Sequence, residues 1–472
     1  MDSSKKLNRI LICMMLYAFI TLLNQTSINT ALTTIRHQFS ISTSSVQWMS
    51  TIYLLVMGVM VPVTAYLSTR FNIKDLFIVS LIIFIIGMLV SGLAPNFGIL
   101  ILGRVIQAVG GGISAPLLQT VIFILAPLNK RGSLMGLVGL VIGVAPALGP
   151  SISGYLVSNF DWHTIFLIYV PILIINLLIS IFYMPKVNEP DKNEHLDIPS
   201  VILSSITFGS LLYGASAVGE KGFTSPIVLC SFLVGIVVFV IFYKKQMKME
   251  RPLLNFHVFD YKVFRLAVVL IIISNIALLS VALLLPIYLQ EIHGFSAFQA
   301  GLILLPGALI SAFMSVVTGR LFDRYGAKWI TVFGFIIMSL ATYILATLEV
   351  NATAIFIIII YAVRCFAISM VFMPPQTAGM NELPRLLVGH GSAMLNTIRT
   401  IAGSVGIAVL VSIMTYFSKN YTADTKKYSG LENIKTQALD YGYMIAMLVA
   451  TFIAVIGIFL AFRLPTKEKI KK

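Results

Sequence analysis

The chain has 472 residues, 58% of them hydrophobic and only 11% charged, with a mean hydropathy of +0.95. No water-soluble domain of this length carries that composition, so it describes an all-α polytopic membrane protein. The formal net charge of +15 does not read as nucleic-acid binding, because the basic residues lie scattered between apolar runs, a pattern that suits membrane topology.

At about 20 apolar residues per span, the sequence predicts fourteen helices. They lie near residues 10–32, 45–67, 75–94, 98–126, 133–157, 163–184, 198–219, 225–243, 264–290, 297–319, 328–347, 352–375, 390–416 and 441–463. The opening MDSSKKLNRI runs into the first apolar segment without a small-residue cleavage site, so that segment is read as a first spanner. An even count places both termini on one side. With that side cytoplasmic, the outer segments hold only Arg36, Lys221, Lys419, Lys426, Lys427 and Lys435 of the 33 basic residues, which predicts cytoplasmic termini.

Cys13, Cys230 and Cys365 fall inside apolar segments, which argues against a disulfide framework and a metal site. There is no Walker loop, G-x-S-x-G or H-E-x-x-H, so neither ATP use nor a catalytic constellation is expected, and the chain is read as no enzyme and as needing no cofactor.

The fifth predicted helix is unusual. Residues 136–157 carry no charge but hold Gly136, Gly139, Gly143, Gly149 and Gly154 with Pro146 and Pro150. Gly139, Gly143 and Ala147 follow small-xxx-small spacing, which lets two helices touch closely. The plain reading is a tight helix contact; the sharper one is a pliable seam shared by two halves of a moving protein. An internal repeat supports two halves. VPVTAYLSTRFNIK (61–74) aligns with SVVTGRLFDRYGAK (315–328), with Thr64/Thr318, Leu67/Leu321, Arg70/Arg324 and Lys74/Lys328 identical. Arg104 and Arg364 each fall in the fourth helix of a six-helix set. The chain therefore divides into six-helix bundles at 1–184 and 263–472, with an inner loop and two inserted helices at 185–262.

These residues resemble the major facilitator superfamily, and within it the fourteen-helix drug:proton antiporters of the EmrB/QacA type. Gly319-Arg-Leu-Phe-Asp323-Arg324-Tyr-Gly326-Ala-Lys328 matches the family's G-x-L-x-D-R-x-G-x-K loop at every fixed position, while the first-half copy has Ala65, Thr69 and Asn72 instead of Gly, Asp and Gly. Arg104-x-x-Gln107-x-x-Gly110, the fifth-helix stretch, DWHTIFLIYVP (161–171) and LNTIRTIAGSVGIA (395–408) resemble further family signatures. The first helix departs from the family's L-D-x-T: Leu23-Asn24-Gln25-Thr26 puts an amide where an acid is expected, a form that resembles the lincomycin- and multidrug-resistance branch.

The resemblance implies a proton-coupled multidrug exporter of amphipathic compounds in a cell membrane, powered by the proton gradient; an uptake symporter or uniporter is the alternative that Asn24 favours. Its partners are drugs, protons and lipid; the oligomeric state stays open. Asp161, Arg104 and Glu291 are the candidates for proton coupling. Arg104 is read either as snorkelling to the outer interface or as meeting Asp161 at the ends of the fourth and fifth helices; Asp161 is otherwise a solvated loop residue or cap. Asn24, Gln25, Asn29, Tyr53, Gln107, Asn275, Tyr288, Gln376, Asn396 and Arg399 are the polar candidates for a substrate cavity. Gly143, Pro146, Gly149, Pro150 and Gly154, with Asp323, Arg324 and Arg70, are the candidates for conformational coupling. None of the 18 acids is placed at the bilayer midplane.

Overall fold

The computed structural model describes residues 3–191, 195–223, 225–348, 352–421 and 434–466. Among them there is no strand, and fourteen helices are long and apolar enough to cross a membrane. They are α1 (Ser3–Gln38), α2 (Thr43–Arg70), α3 (Ile73–Gly92), α4 (Phe97–Leu125), α5 (Arg131–Asn159), α6 (Thr164–Tyr183), α7 (Ile198–Lys221), α8 (Pro226–Gln246), α9 (Lys262–Glu291), α10 (Ala297–Tyr325), α11 (Lys328–Ala346), α12 (Ala354–Glu382), α13 (Val388–Lys419) and α14 (Ile434–Ala461). Successive helices run in opposite directions. The face where α1 begins and α14 ends also carries Lys74, Lys130, Arg131, Arg324 and Lys328, and is called the basic face below; the opposite one is the far face.

Several helices run past the ends that hydropathy predicts. A helix stops when its backbone loses partners, not when its side chains turn polar. α12 continues through Pro374 and Pro375 to Glu382. Pro375 cannot donate to the Val371 carbonyl four residues back, and the Ser274 hydroxyl of α9 donates to that carbonyl instead at 3.1 Å. α14 starts seven residues before the predicted 441, taking in Lys435, Gln437 and Asp440.

Buried side chains form two large apolar clusters. The first draws mainly on α1–α6, with Tyr17 between Phe77 and Phe84 at 5.7 and 5.5 Å. The second draws on α9–α14 and contains Phe335, Met338, Val371 and Met447. α5 lies along α10, and α2 along α13, joining the two sets. α7 and α8 pair as a hairpin, and α7 rests against α2 and α13.

The hairpin is pinned at the basic face by Asp197, which caps α7 through the Ser200 N–H (2.9 Å) and accepts from the Lys245 ammonium of α8. Burial alone raises this carboxyl, but hydrogen bonds from Lys245 and Ser200 more than offset that and hold it below the ordinary carboxylate range. The contribution to stability is therefore complete above the unfolded-state value and is lost as pH falls through the lowered folded one. Both side chains are about a third exposed, so it amounts to about 1 kcal/mol or less. Asp197→Asn is expected to remove part of the acid-induced drop in unfolding temperature between neutral pH and pH 3; an unchanged profile contradicts this.

Candidate functional site

Near the basic face α5 and α10 touch backbone to backbone. A Cβ on Gly319 would stand 2.2 Å from the Gly132 carbonyl oxygen, and one on Gly136 would stand 2.5 Å from that of Ser315. Gly139 meets Ser315 and Met373, and Gly143 meets Ala312. Small residues let the backbones approach this closely. The first N–H groups of α5 have no partner within the helix. The Asp323 carboxylate of α10 accepts those of Gly132 and Ser133 at 2.8 Å each, together with the Ser133 hydroxyl, where the positive end of the helix favours an anion. Arg131 donates to Asn381 of α12 at 2.9 Å. Of the two arginines grouped with Asp323 as candidates for conformational coupling, Arg324 stacks on its neighbour Tyr325 at 5.2 Å and Arg70 donates to the Asp191 carbonyl at 3.4 Å.

Toward the far face the same two helices part. A cavity of about 890 Å³ opens between them, lined by Pro146, Pro150 and Gly154 of α5, Phe298 and Leu305 of α10, and Tyr361 of α12. A Cβ on Gly154 would meet nothing within 4 Å, whereas one on Gly149 would collide with Thr26 of α1. The glycines of residues 136–157 thus serve three purposes: Gly136, Gly139 and Gly143 close the α10 seam, Gly149 packs α1, and Gly154 borders open space.

Nearer the basic face, and apart from the residues that line this cavity, a polar network joins the two sets of helices. The Gln119 Oε1 of α4 accepts from Gln376 Nε2 of α12 and from Asn396 Nδ2 of α13, each at 2.9 Å. Asn396 Oδ1 in turn accepts from Arg399 Nη2 at 2.8 Å. Three sequence candidates, Gln376, Asn396 and Arg399, therefore gather here with Gln119, from three helices.

Arg104 forms a second cluster. It sits seven residues into α4, about 10 Å from the helix start, and is fully buried. Its Nη1 donates to Asn24 Oδ1 (2.8 Å) and Gln107 Oε1 (2.9 Å), its Nε to the Met49 carbonyl (3.3 Å), and its guanidinium lies 4.1 Å from the Tyr53 ring centre. Gln107 Nε2 reaches the Gly87 carbonyl and Ser91. Asn24 thus holds the place of an acid with a neutral acceptor. Arg364 of α12 is buried in the same way, donating to Thr342 (3.1 Å) and the Ala277 carbonyl.

The expected approach of Asp161 to Arg104 does not occur, nor does Arg104 snorkel. Asp161 lies beyond α5, with its side chain 60% exposed, and pairs with His163 at 3.0 Å. Its tether to the far-face loop keeps it in water, while Arg104 is satisfied by amides inside the fold. Glu291 is exposed at the end of α9, and burial pushes the neighbouring His293 imidazole down. Four substrate candidates stay apart from both clusters. Gln25 is half-buried, Asn29 is exposed and accepts from Ser50, Asn275 bonds its own helix, and Tyr288 stacks on Tyr443 at 4.2 Å.

Sequence reasoning missed Asp440. It is 7% exposed, the one buried carboxylate among the described residues. A hydropathy window starting the last helix at 441 leaves it in a loop; the signal available was the i, i+3 spacing of Asp440 and Tyr443 on a helical extension. Tyr443 lies within electrostatic reach of both Asp440 and Arg364.

Residues 14–407 match the Major Facilitator Superfamily profile. The chain belongs to the major facilitator superfamily. It is accordingly a multi-pass membrane protein of a transporter family, not an enzyme. Its relatives include the lincomycin resistance protein LmrB of Bacillus subtilis (strain 168), 41% identical over 97% of this chain and 95% of that one. The LmrB of Listeria monocytogenes (serovar 1/2a, strain EGD-e) is 40% identical over 93% of each. The MFS-type transporter YcnB of Bacillus subtilis is 41% identical over 96% of this chain and 94% of its own. Among solved structures, the proton:xylose symporter XylE superposes with a TM-score of 0.64 at 16% identity, covering 98% of this chain and 97% of XylE. That degree of identity speaks for the fold alone.

Proposed function

We propose that this protein exports amphipathic drugs, lincomycin-like compounds among them, in exchange for protons. The observation that carries the reading is the α5–α10 pair: sealed near the basic face, open over about 890 Å³ near the far face. An alternating-access transporter in one of its two states needs that asymmetry. The kinship with lincomycin resistance proteins at 40–41% identity supports drugs as cargo. On this reading the basic face is cytoplasmic, with both termini inside. The moving units are residues 1–184 and 263–472, and Asp323 at the N-terminus of α5 is the latch of the outward-facing state.

The proton needs a titratable group. Asn24 does not titrate, and Asp161 and Glu291 are exposed. Asp440 sits inside α14 beside Tyr443, and ionisable residues held within membrane helices are functional by default. Drug-stimulated proton movement in inside-out vesicles tests the reading. Lincomycin is expected to drive protons out of energised vesicles, Asp440→Asn to abolish this, and Asp161→Asn and Glu291→Gln to change it only slightly. Higher lincomycin accumulation in cells that carry the protein rejects export in favour of uptake.

A further inference from the structure

Resting on the proposed drug-export reading, we infer that the central site selects amphiphiles that are anionic or neutral and rich in hydrogen-bond acceptors, and that it rejects fixed cations. Arg399 imposes the choice. It lies eleven residues into the 32 of α13, about 16 Å from the basic-face end and so roughly a third of the way along the helix. It is placed where the two helix sets meet: its Nη2 donates to Asn396, which bridges to Gln119 of the first set, and its guanidinium carbon lies 5.7 Å from the Phe372 ring centre. Its Nη1 is buried and has no partner, and neither has Gln119 Nε2. Two unfilled donors therefore flank one asparagine at the junction between the helix sets.

No ion pair among the described residues involves Arg399. The cavity between α5 and α10, whose lining does not include Arg399, holds no acidic residue either. The two fully buried charges, Arg104 and Arg364, are also positive, Arg399 itself is half-buried, and the one buried acid among the described residues, Asp440, lies on α14 near the far face. A buried guanidinium without a counter-charge is costly, and a ligand acceptor or anion that completes its hydrogen bonds recovers part of that cost. A positive charge brought within about 5 Å of it is disfavoured on the order of a hundredfold at the effective dielectric of a partly buried site.

The test uses two dyes on one xanthene frame: fluorescein, an anion at neutral pH, and rhodamine 6G, a permanent cation. Each competes against labelled lincomycin for export by the full-length protein in vesicles. Fluorescein is expected to inhibit at least about tenfold more strongly, or about 1.4 kcal/mol. Arg399→Gln is expected to erase that gap, and Arg399→Lys to preserve its sign. Equal inhibition, stronger inhibition by rhodamine 6G, inhibition by neither dye, or an unchanged gap in a monodisperse Arg399→Gln protein overturns the proposal. Should Arg399→Gln not fold, the wild-type comparison and Arg399→Lys decide. A wild-type protein that exports no lincomycin refutes the export reading alone; the relative binding of the two dyes to purified protein then decides the charge preference.

Discussion

Gly319→Val is expected to abolish lincomycin export while leaving a folded, membrane-inserted protein. The Cβ would stand 2.2 Å from the Gly132 carbonyl oxygen and 2.9 Å from its carbon. Both are backbone atoms of α5, so no rotamer change relieves the overlap. Overpacking a tight contact costs about 1–3 kcal/mol, and here it falls only on the state in which α5 and α10 are sealed. A penalty of that size shifts a two-state equilibrium by roughly 5- to 150-fold. The separated state has no such contact, so the expectation is a protein trapped with its basic-face seam open. Alkylation of a cysteine introduced by Ser133→Cys, in a background without Cys13, Cys230 and Cys365, measures this. Faster alkylation in the Gly319→Val protein is the expected result. Full export with unchanged alkylation removes the seam from the account.

The second large effect falls on Arg104. Arg104→Leu strips the partner from Asn24 Oδ1 and from Gln107 Oε1, and removes the cation above Tyr53. Each buried acceptor left unmet costs about 1–3 kcal/mol. The joint loss is expected to lower the unfolding temperature of the purified protein and to eliminate transport. Arg104→Lys keeps the charge but not the fork that reaches Asn24, Gln107 and the Met49 carbonyl together, so it is expected to rescue little. Asn24→Asp, by contrast, retains the acceptor at 2.8 Å and adds the opposite charge, so it is expected to fold. Thermal unfolding in detergent separates these outcomes; an Arg104→Leu protein as stable as wild type contradicts the assigned role.

How much of this was legible in the sequence depends on what kind of signal each feature leaves. All fourteen helices were, because lipid demands long apolar runs and these are hard to mimic. The small residues of 136–157 announced a close contact, and Gly136, Gly139 and Gly143 make one with α10. Spacing did not reveal that Gly149 turns to α1 and Gly154 to open space, because helix rotation is set by packing against neighbours. The pairing of Arg104 was misjudged for a related reason. Asp161 is the acid nearest in chain order on the far side, but the partners that reach Arg104 are amides on α1 and on its own helix. Amides carry no charge pattern to follow. The same silence hides the link of Gln119 with Gln376 and Asn396, which only the meeting of α4, α12 and α13 creates. Asp440 was lost to a boundary: a polar first turn lowers hydropathy without ending a helix.

On the proposed reading the two helix sets rock about the α5–α10 seam, so that one end closes as the other opens. Double electron–electron resonance on two spin-label pairs tests it directly. Asn159→Cys with Phe298→Cys reports the far-face cavity, and Leu128→Cys with Tyr325→Cys the basic-face end; all four side chains are exposed. Without drug, the far-face pair is expected to be long and the basic-face pair short. Lincomycin is expected to create a second population in which the far-face distance shortens and the basic-face distance lengthens in equal proportion. Distances that change at one end while the other stays fixed, or that do not respond at either end, contradict the account.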